Sequence, residues 1–173
     1  FYLTLDVDMR AASRLRSEYN AGAGEDRRIS FNDLVVRACV LSLEKFPAPR
    51  SQLDGETIHV PDSVNLGVAV ALEEGLVVPV IKDAQSKSVS AIGRETRALA
   101  EKARKGQLTP DEYNLYIQMS ILHRCSDLWR PSGIPTHIRL HAAGCGEYAV
   151  PSSPVGPIPV RSYAAILVVD AVR

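Results

Sequence analysis

The chain of 173 residues is 46% hydrophobic and 23% charged, an ordinary balance for a globular protein long enough to build one domain around a real core. Twenty basic residues offset twenty acidic ones, so no general electrostatic pull toward nucleic acid or an anionic membrane is expected. No apolar run is long enough to cross a bilayer, and the three cysteines, Cys39, Cys125 and Cys145, lack the spacing of a metal site.

The opening stretch, FYLTLDVDM, has neither a basic region nor a cleavage site, so any targeting peptide is expected to have been removed or to lie outside this chain. It alternates instead: Leu3, Leu5, Val7 and Met9 share one face, and Tyr2, Thr4, Asp6 and Asp8 the other. Period two predicts a half-buried strand. RAASRLRSEYN is rich in helix formers, and AGAGEDRR reads as a flexible, charged connection.

ISFNDLVVRACVLSLEKFP is the clearest helix. Ser30 caps it with Asp33 three residues on, close to a capping box, and Pro47 closes it. Phe31, Leu34, Val35, Ala38, Val40 and Leu41 are expected to form its buried face, with Cys39 there for packing and not for chemistry. TIHV, VNLGVAVAL and LVVPVIKD then read as strands. The last two are apolar on both faces, as central strands are, with a turn at Gly75. Pro79 inside the last run implies an edge or a bulge, because proline donates nothing to a ladder.

SVSAIGRETRALAEKARKG is an amphipathic helix with Val89, Ile92, Leu99 and Ala103 inward and Gly106 as its stop. In TPDEY, Thr109 is the cap, Pro110 the first helical residue and Glu112 the partner in a second capping box. Beyond Tyr116 the chain turns rich in Pro, Gly, Ser and His, and residues 117–162 are expected to be a long irregular excursion within a single domain spanning 1–173. Order returns with YAAILVVDAV, a buried strand.

These segments carry a resemblance. SVNLGVAVALEEGLVVPVIKDAQSKSVSAIGRETRALAEKARKGQLTPDEY, with Gly-Leu-Val-Val-Pro-Val at 75–80, resembles the catalytic domain of the dihydrolipoamide acyltransferases. Those enzymes form the cores of pyruvate and other 2-oxoacid dehydrogenase complexes. FYLTLDVDM is similar to that domain's opening strand and ISFNDLVVRACVLSLEKFP to its Asn-Asp helix. The likeness is close over 1–113 and returns at 163–173. It implies an α/β (α+β) fold like that of chloramphenicol acetyltransferase, a mixed β-sheet flanked by helices, C-terminally truncated here and assembling as trimers. In the family a histidine in an Asp-His-Arg-x-x-Asp/Asn-Gly motif deprotonates the thiol. A serine in a Ser-Asn-Leu-Gly stretch helps hold the oxyanion.

The sequence departs from that pattern at both places. His123 sits in HRCSD, but Leu122 precedes it where the family has Asp, Leu128 follows where it has Gly, and it comes before AAIL and not after. It is read as a decoy, since short motif hits are cheap without context. Ser120 aligns with the family's serine only as a remnant, with Ile121 and His123 in place of Asn and Gly. No catalytic residue is therefore assigned.

Other candidates are weighed and set aside. His59 is taken as a surface or edge side chain. His137 and His141 are four apart, but Pro135 and Gly144 argue against a helix that would aim both at a metal, so no metal site is expected. Arg124, Arg130 and Arg139 would suit an anion or simply remain solvated.

The resemblance then implies a non-catalytic branch of the family, the protein X type of the pyruvate dehydrogenase complex. Its expected partners are copies of itself, the dihydrolipoamide acetyltransferase core and, through an upstream segment, dihydrolipoamide dehydrogenase. The expected location is the mitochondrial matrix. A lipoyl group would sit on a domain upstream, and this domain would carry no cofactor. The alternative is an active acyltransferase between lipoamide and coenzyme A whose catalytic motif lies outside this chain. A coenzyme A-binding regulator is a third, weaker reading.

Overall fold

A computed structural model of the chain describes residues 2–54, 56–72, 75–113, 119–123, 137–143 and 165–172. Strand β1 (Tyr2–Asp8) leads directly into helix α1 (Arg10–Gly22). One turn of 3-10 helix at Glu25–Arg27 occupies the predicted flexible connection. Asn20 clamps the chain beyond it: its Nδ2 donates to the Ile29 carbonyl at 2.9 Å, and its Oδ1 accepts from the Ile29 N–H at 2.9 Å. Arg16 Nε adds a bond to the same carbonyl at 3.2 Å, and its guanidinium lies 4.9 Å from the centre of the Phe31 ring.

Helix α2 (Phe31–Lys45) starts at the predicted cap. Ser30 Oγ accepts from the Asp33 N–H at 3.2 Å and Ser30 N–H donates to Asp33 Oδ2 at 2.8 Å, so both halves of the box are made. Its buried face is Phe31, Val35, Val36, Cys39, Val40 and Leu43, with the polar Asn32 and Asp33. Ala38 and Leu41, expected inside, are exposed. The buried row steps through 32, 36, 39 and 43, and at about 100° per residue 38 and 41 fall on the far side of the helix.

Strands β2 (Gln52–Asp54) and β3 (Thr57–His59) pair antiparallel as a separate two-stranded sheet. The two long central strands expected next break into four: β4 (Leu66–Val68), β5 (Val70–Leu72), β6 (Gly75–Val77) and β7 (Val80–Ile81). β4 and β7 join the main sheet, whereas β5 and β6 form their own antiparallel pair. Pro79 lies in the gap between β6 and β7, and its carbonyl accepts the Val68 N–H at 3.0 Å. Gly75 opens β6 with φ of 146°, a conformation that suits glycine.

Helix α3 (Val89–Arg104) buries Ile92, Gly93, Thr96, Leu99, Ala100 and Ala103, and Gly106 follows at φ 64° as its left-handed stop. Its start is capped by Ser88 Oγ, which accepts from the Ala91 N–H at 3.2 Å. A short helix α4 (Pro110–Tyr113) follows, where Glu112 Oε2 accepts the Thr109 N–H at 2.9 Å.

Within the stretch expected to be irregular, two strands are found, β8 (Met119–His123) and β9 (His137–Ala143); β10 (Ala165–Val172) is the strand predicted last. The main sheet runs β1-β9-β10-β8-β4-β7. β8 is parallel to both β10 and β4, and the other neighbours are antiparallel. This is the mixed, helix-flanked sheet that the resemblance implies.

The core lies where α2 and α3 meet β4 and β7. Val36, Val40, Val64, Leu66, Ile81 and Ile92 are fully buried there. A smaller cluster of Val70, Ala100 and Ala103 sits between β5 and α3. Leu5, on the apolar face of the edge strand β1, is 62% exposed, so that face is covered only in part.

Candidate functional site

Strand β8 is the natural place to look for chemistry, because it holds both Ser120 and His123 at the centre of the sheet. Ser120 pairs with Gly67 on β4 and Ile166 on β10; His123 pairs with Val169. The register is unbroken over five residues, so positions alternate strictly between faces. Three residues apart is an odd separation, which assigns Ser120 and His123 to opposite faces of the sheet.

The cross-strand register says which face is which. His123 is in step with Leu66 and Val68 of β4, which are buried in the α2-facing core, so its position belongs to the apolar side. Ser120 is in step with Gly67 and Ile166, and through Ile166 with Ala143. That is the side on which β9 carries His137, Arg139 and His141. Ser120 and His141 nevertheless stand two strands and two residues apart, about 12 Å between Cα positions, far beyond one hydrogen bond.

The polar side has an arrangement that the separate residues did not suggest. Arg139 is in register with Asp6 on β1 and Asp170 on β10; His137 lies opposite Asp8, and His141 opposite Thr4. Cationic and anionic types thus alternate across three strands, as cross-strand pairing favours. His137 and His141 share this face but lie about 13 Å apart along a strand, too far to ligate one metal ion. Among the described residues no group of three metal-ligating side chains occurs.

His59 is on β3, exposed, in the separate hairpin. Cys39 is buried in α2, and loss of hydration pushes its thiol up to about 12, which makes it inert at neutral pH. Arg124, Arg130, Cys125 and Cys145 lie outside the described residues.

The most constrained polar group is one the sequence offered only as a helix cap. Asp33 is buried beside Asn32 at the start of α2, and Asp33 Oδ1 and both polar atoms of Asn32 have no hydrogen-bond partner among the described residues. Burial raises the Asp33 carboxyl above the ordinary carboxylate range, against the bonds from Ser30 and the fields of Arg97 and Arg16. Arg97 Nη1 stands 3.9 Å from Asp33 Oδ2 while donating to the Arg28 carbonyl at 3.3 Å. This knot fastens α3 to the loop before α2.

Comparison with known proteins adds the family context. A family profile described as 2-oxoacid dehydrogenases acyltransferase (catalytic domain) matches residues 1–115. The chain is 44% identical over 115 residues to dihydrolipoyllysine-residue acetyltransferase component 2 of the Arabidopsis thaliana mitochondrial pyruvate dehydrogenase complex, covering 65% of this chain and 21% of that protein. It is 37% identical over 112 residues to the mitochondrial pyruvate dehydrogenase protein X component of Mus musculus, covering 65% and 22%.

Among solved structures, it is similar to the Azotobacter vinelandii dihydrolipoamide acetyltransferase, with TM-score 0.66 and 27% identity over 71% of this chain and 51% of that one. It is also similar to a truncated 2-oxoacid dehydrogenase catalytic core from Thermoplasma acidophilum, with TM-score 0.63 and 25% identity over 72% and 57%. The match thus spans about a fifth of the length of these curated relatives and just over half of the solved chains. The further likeness at 163–173 falls beyond the residues that the family profile matches.

Proposed function

Because the chain belongs to the family of 2-oxoacid dehydrogenase acyltransferase catalytic domains, we propose that it serves as a non-catalytic, core-like component of a pyruvate dehydrogenase complex. In this role it associates with copies of itself, as a trimer, and docks on a dihydrolipoamide acetyltransferase core. An upstream segment recruits dihydrolipoamide dehydrogenase, and an upstream domain carries the lipoyl group. The protein X component of Mus musculus is the relative that speaks for this reading.

The single observation that carries it is the register of β8, which assigns Ser120 and His123 to opposite faces. Acyl transfer to a thiol needs both a base and an oxyanion donor converging on one reacting carbon. A thiol near its ordinary pKa is mostly protonated at neutral pH, so it needs a positioned base. Losing that base costs about 10²–10⁴ in rate. Losing one oxyanion donor costs about 10²–10³ more. Residues split by the thickness of a sheet supply neither in concert.

A second reading is an active acyltransferase between lipoamide and coenzyme A, with its catalytic motif outside this chain. The higher identity to the Arabidopsis thaliana acetyltransferase, 44% against 37% for the protein X component, favours it. The proposed place is the mitochondrial matrix; the names of those two relatives support a mitochondrial location, while the similar Zymomonas mobilis and Rickettsia proteins come from bacteria.

One assay separates the readings. The intact gene product is incubated with acetyl-coenzyme A and dihydrolipoamide, beside a His123→Ala form, and is tested for co-sedimentation with an acetyltransferase core. Binding without turnover is the expected result. Robust turnover in both forms would establish the second reading, and turnover abolished by His123→Ala would also overturn the assignment of His123 as a decoy.

A further inference from the structure

The apolar residues of α1 lie on two sides of the helix, and only one side faces the rest of the molecule. Ser13, Arg16 and Asn20 turn inward, where the last two hold Ile29. Opposite them, Ala11, Leu15, Tyr19 and Gly22 recur at helical spacing along the exposed surface. Leu15 is 55% exposed and Tyr19 43%. Beside Tyr19 the surface dips into a concavity of about 240 Å³ lined by Tyr19, Gly22, Ala23 and Arg27, and the space where a Gly22 side chain would stand is open.

We propose that this stripe is a self-docking surface, on which α1 packs antiparallel against α1 of a second copy of this chain. The choice of occupant rests on charge and symmetry. Arg14 and Glu18 lie together along one edge of the stripe, and both are exposed. A twofold axis near Arg16 and Ser17 reverses the second helix and keeps equivalent edges on the same side. It brings Arg14 of each copy beside Glu18 of the other, so two opposite-charge pairs form at once. A parallel arrangement would put the two charged edges on opposite sides of the contact.

The same axis sets Leu15 against Tyr19 of the second copy. At either end it sets Ala11 against Gly22, small residues that permit close approach of helix axes. The surface is therefore complementary to itself, as a twofold contact requires. One helical stripe falls short of the roughly 800 Å² per partner of a standard interface, so the contact is weak alone. It pairs copies two by two, and so it is separate from the trimer proposed above and does not depend on the acyltransferase family's chemistry.

Charge reversal tests it. Sedimentation equilibrium of the full chain is measured across a concentration series for the wild type, Arg14→Glu, Glu18→Arg and the double variant. Both positions are on the solvent side of α1, and circular dichroism checks that each variant keeps its helix content. Each single variant is expected to weaken the pairwise association about tenfold, since two attractive pairs become two repulsive ones. The double variant is expected to restore it. Leu15→Gln, which leaves the charges alone, is expected to weaken it as well. Loss of trimers with the pairwise step intact would sink the trimer and leave this contact standing. Single variants that associate like the wild type, or a double variant that fails to recover, would overturn it.

Discussion

Asp33 is pulled in two directions. As a cap it accepts the Ser30 N–H at 2.8 Å; as a buried carboxylate it has one oxygen with no partner among the described residues. Desolvation wins, and its folded-state pKa lies above the ordinary 3.8. The folded chain therefore holds this proton more tightly than the unfolded chain does. The resulting stability is fully present below the unfolded pKa and is lost as pH rises through the raised value. Asp33→Asn keeps an amide oxygen for Ser30 and removes the titration. Urea unfolding of both forms from pH 4 to 8 should show the variant gaining on the wild type as pH rises; a constant difference would refute this. Gly93 lets α3 come close to Asp33, since an added Cβ there would collide with Asp33 Oδ2. Gly93→Ala is expected to cost about 1–3 kcal/mol, read from the urea midpoint. The Ser30–Asp33 box was legible in the sequence because its partners are three residues apart. The close approach of Gly93 was not, since it depends on how α3 crosses α2.

At the scale of elements, local signals and long-range ones diverge. Helix α2 begins where its cap says it should, and Ser30→Ala is expected to cost about 1 kcal/mol, seen as a lowered thermal midpoint with α2 amides exchanging faster at its N-terminal turn. An unchanged midpoint would mean that tertiary contacts alone fix the helix start. The strands were harder to read. The stretch HIRLHAA alternates polar and apolar residues at 137–143, as β1 does at 2–8, yet it lies inside the Pro-, Gly-, Ser- and His-rich stretch expected to be irregular. What matches the alternation is its partner strand: Asp6 and Asp8 of β1 are in register with Arg139 and His137. Such pairing joins residues 133 and 129 positions apart, which no local window registers. In the same way VNLGVAVAL looked like one strand, but its two halves serve different sheets, β4 the main one and β5 the hairpin. Hydrophobicity showed that both halves are apolar and not that they part company at Ala69.

At the scale of the whole molecule, burial among the described side chains is uneven, and that unevenness bears on where function can reside. The packed half of them is the junction of α2, α3, β4 and β7, and it lies within the residues 1–115 that the family profile matches. The candidate site residues Ser120 and His123 sit on β8, which borders this half through β4 but belongs equally to β10. Their placement could not be read from HRCSD alone, because the face that each occupies is decided by neighbours distant in sequence. If the core is where α2 and α3 meet β4, the cost of deleting apolar atoms should follow that geography and not hydrophobicity. Leu66, with no exposed surface, and Leu5, 62% exposed, are the same residue type in strands of one sheet. Leu66→Ala is expected to cost about 2–5 kcal/mol, from lost transfer energy and the cavity left behind. Leu5→Ala should fall within about 0.5 kcal/mol of the wild type. Both values come from urea unfolding at a protein concentration low enough to keep copies apart. Equal losses at the two positions would mean that the β1 edge is as tightly packed as β4, and that the partly covered face of the sheet is closed in solution.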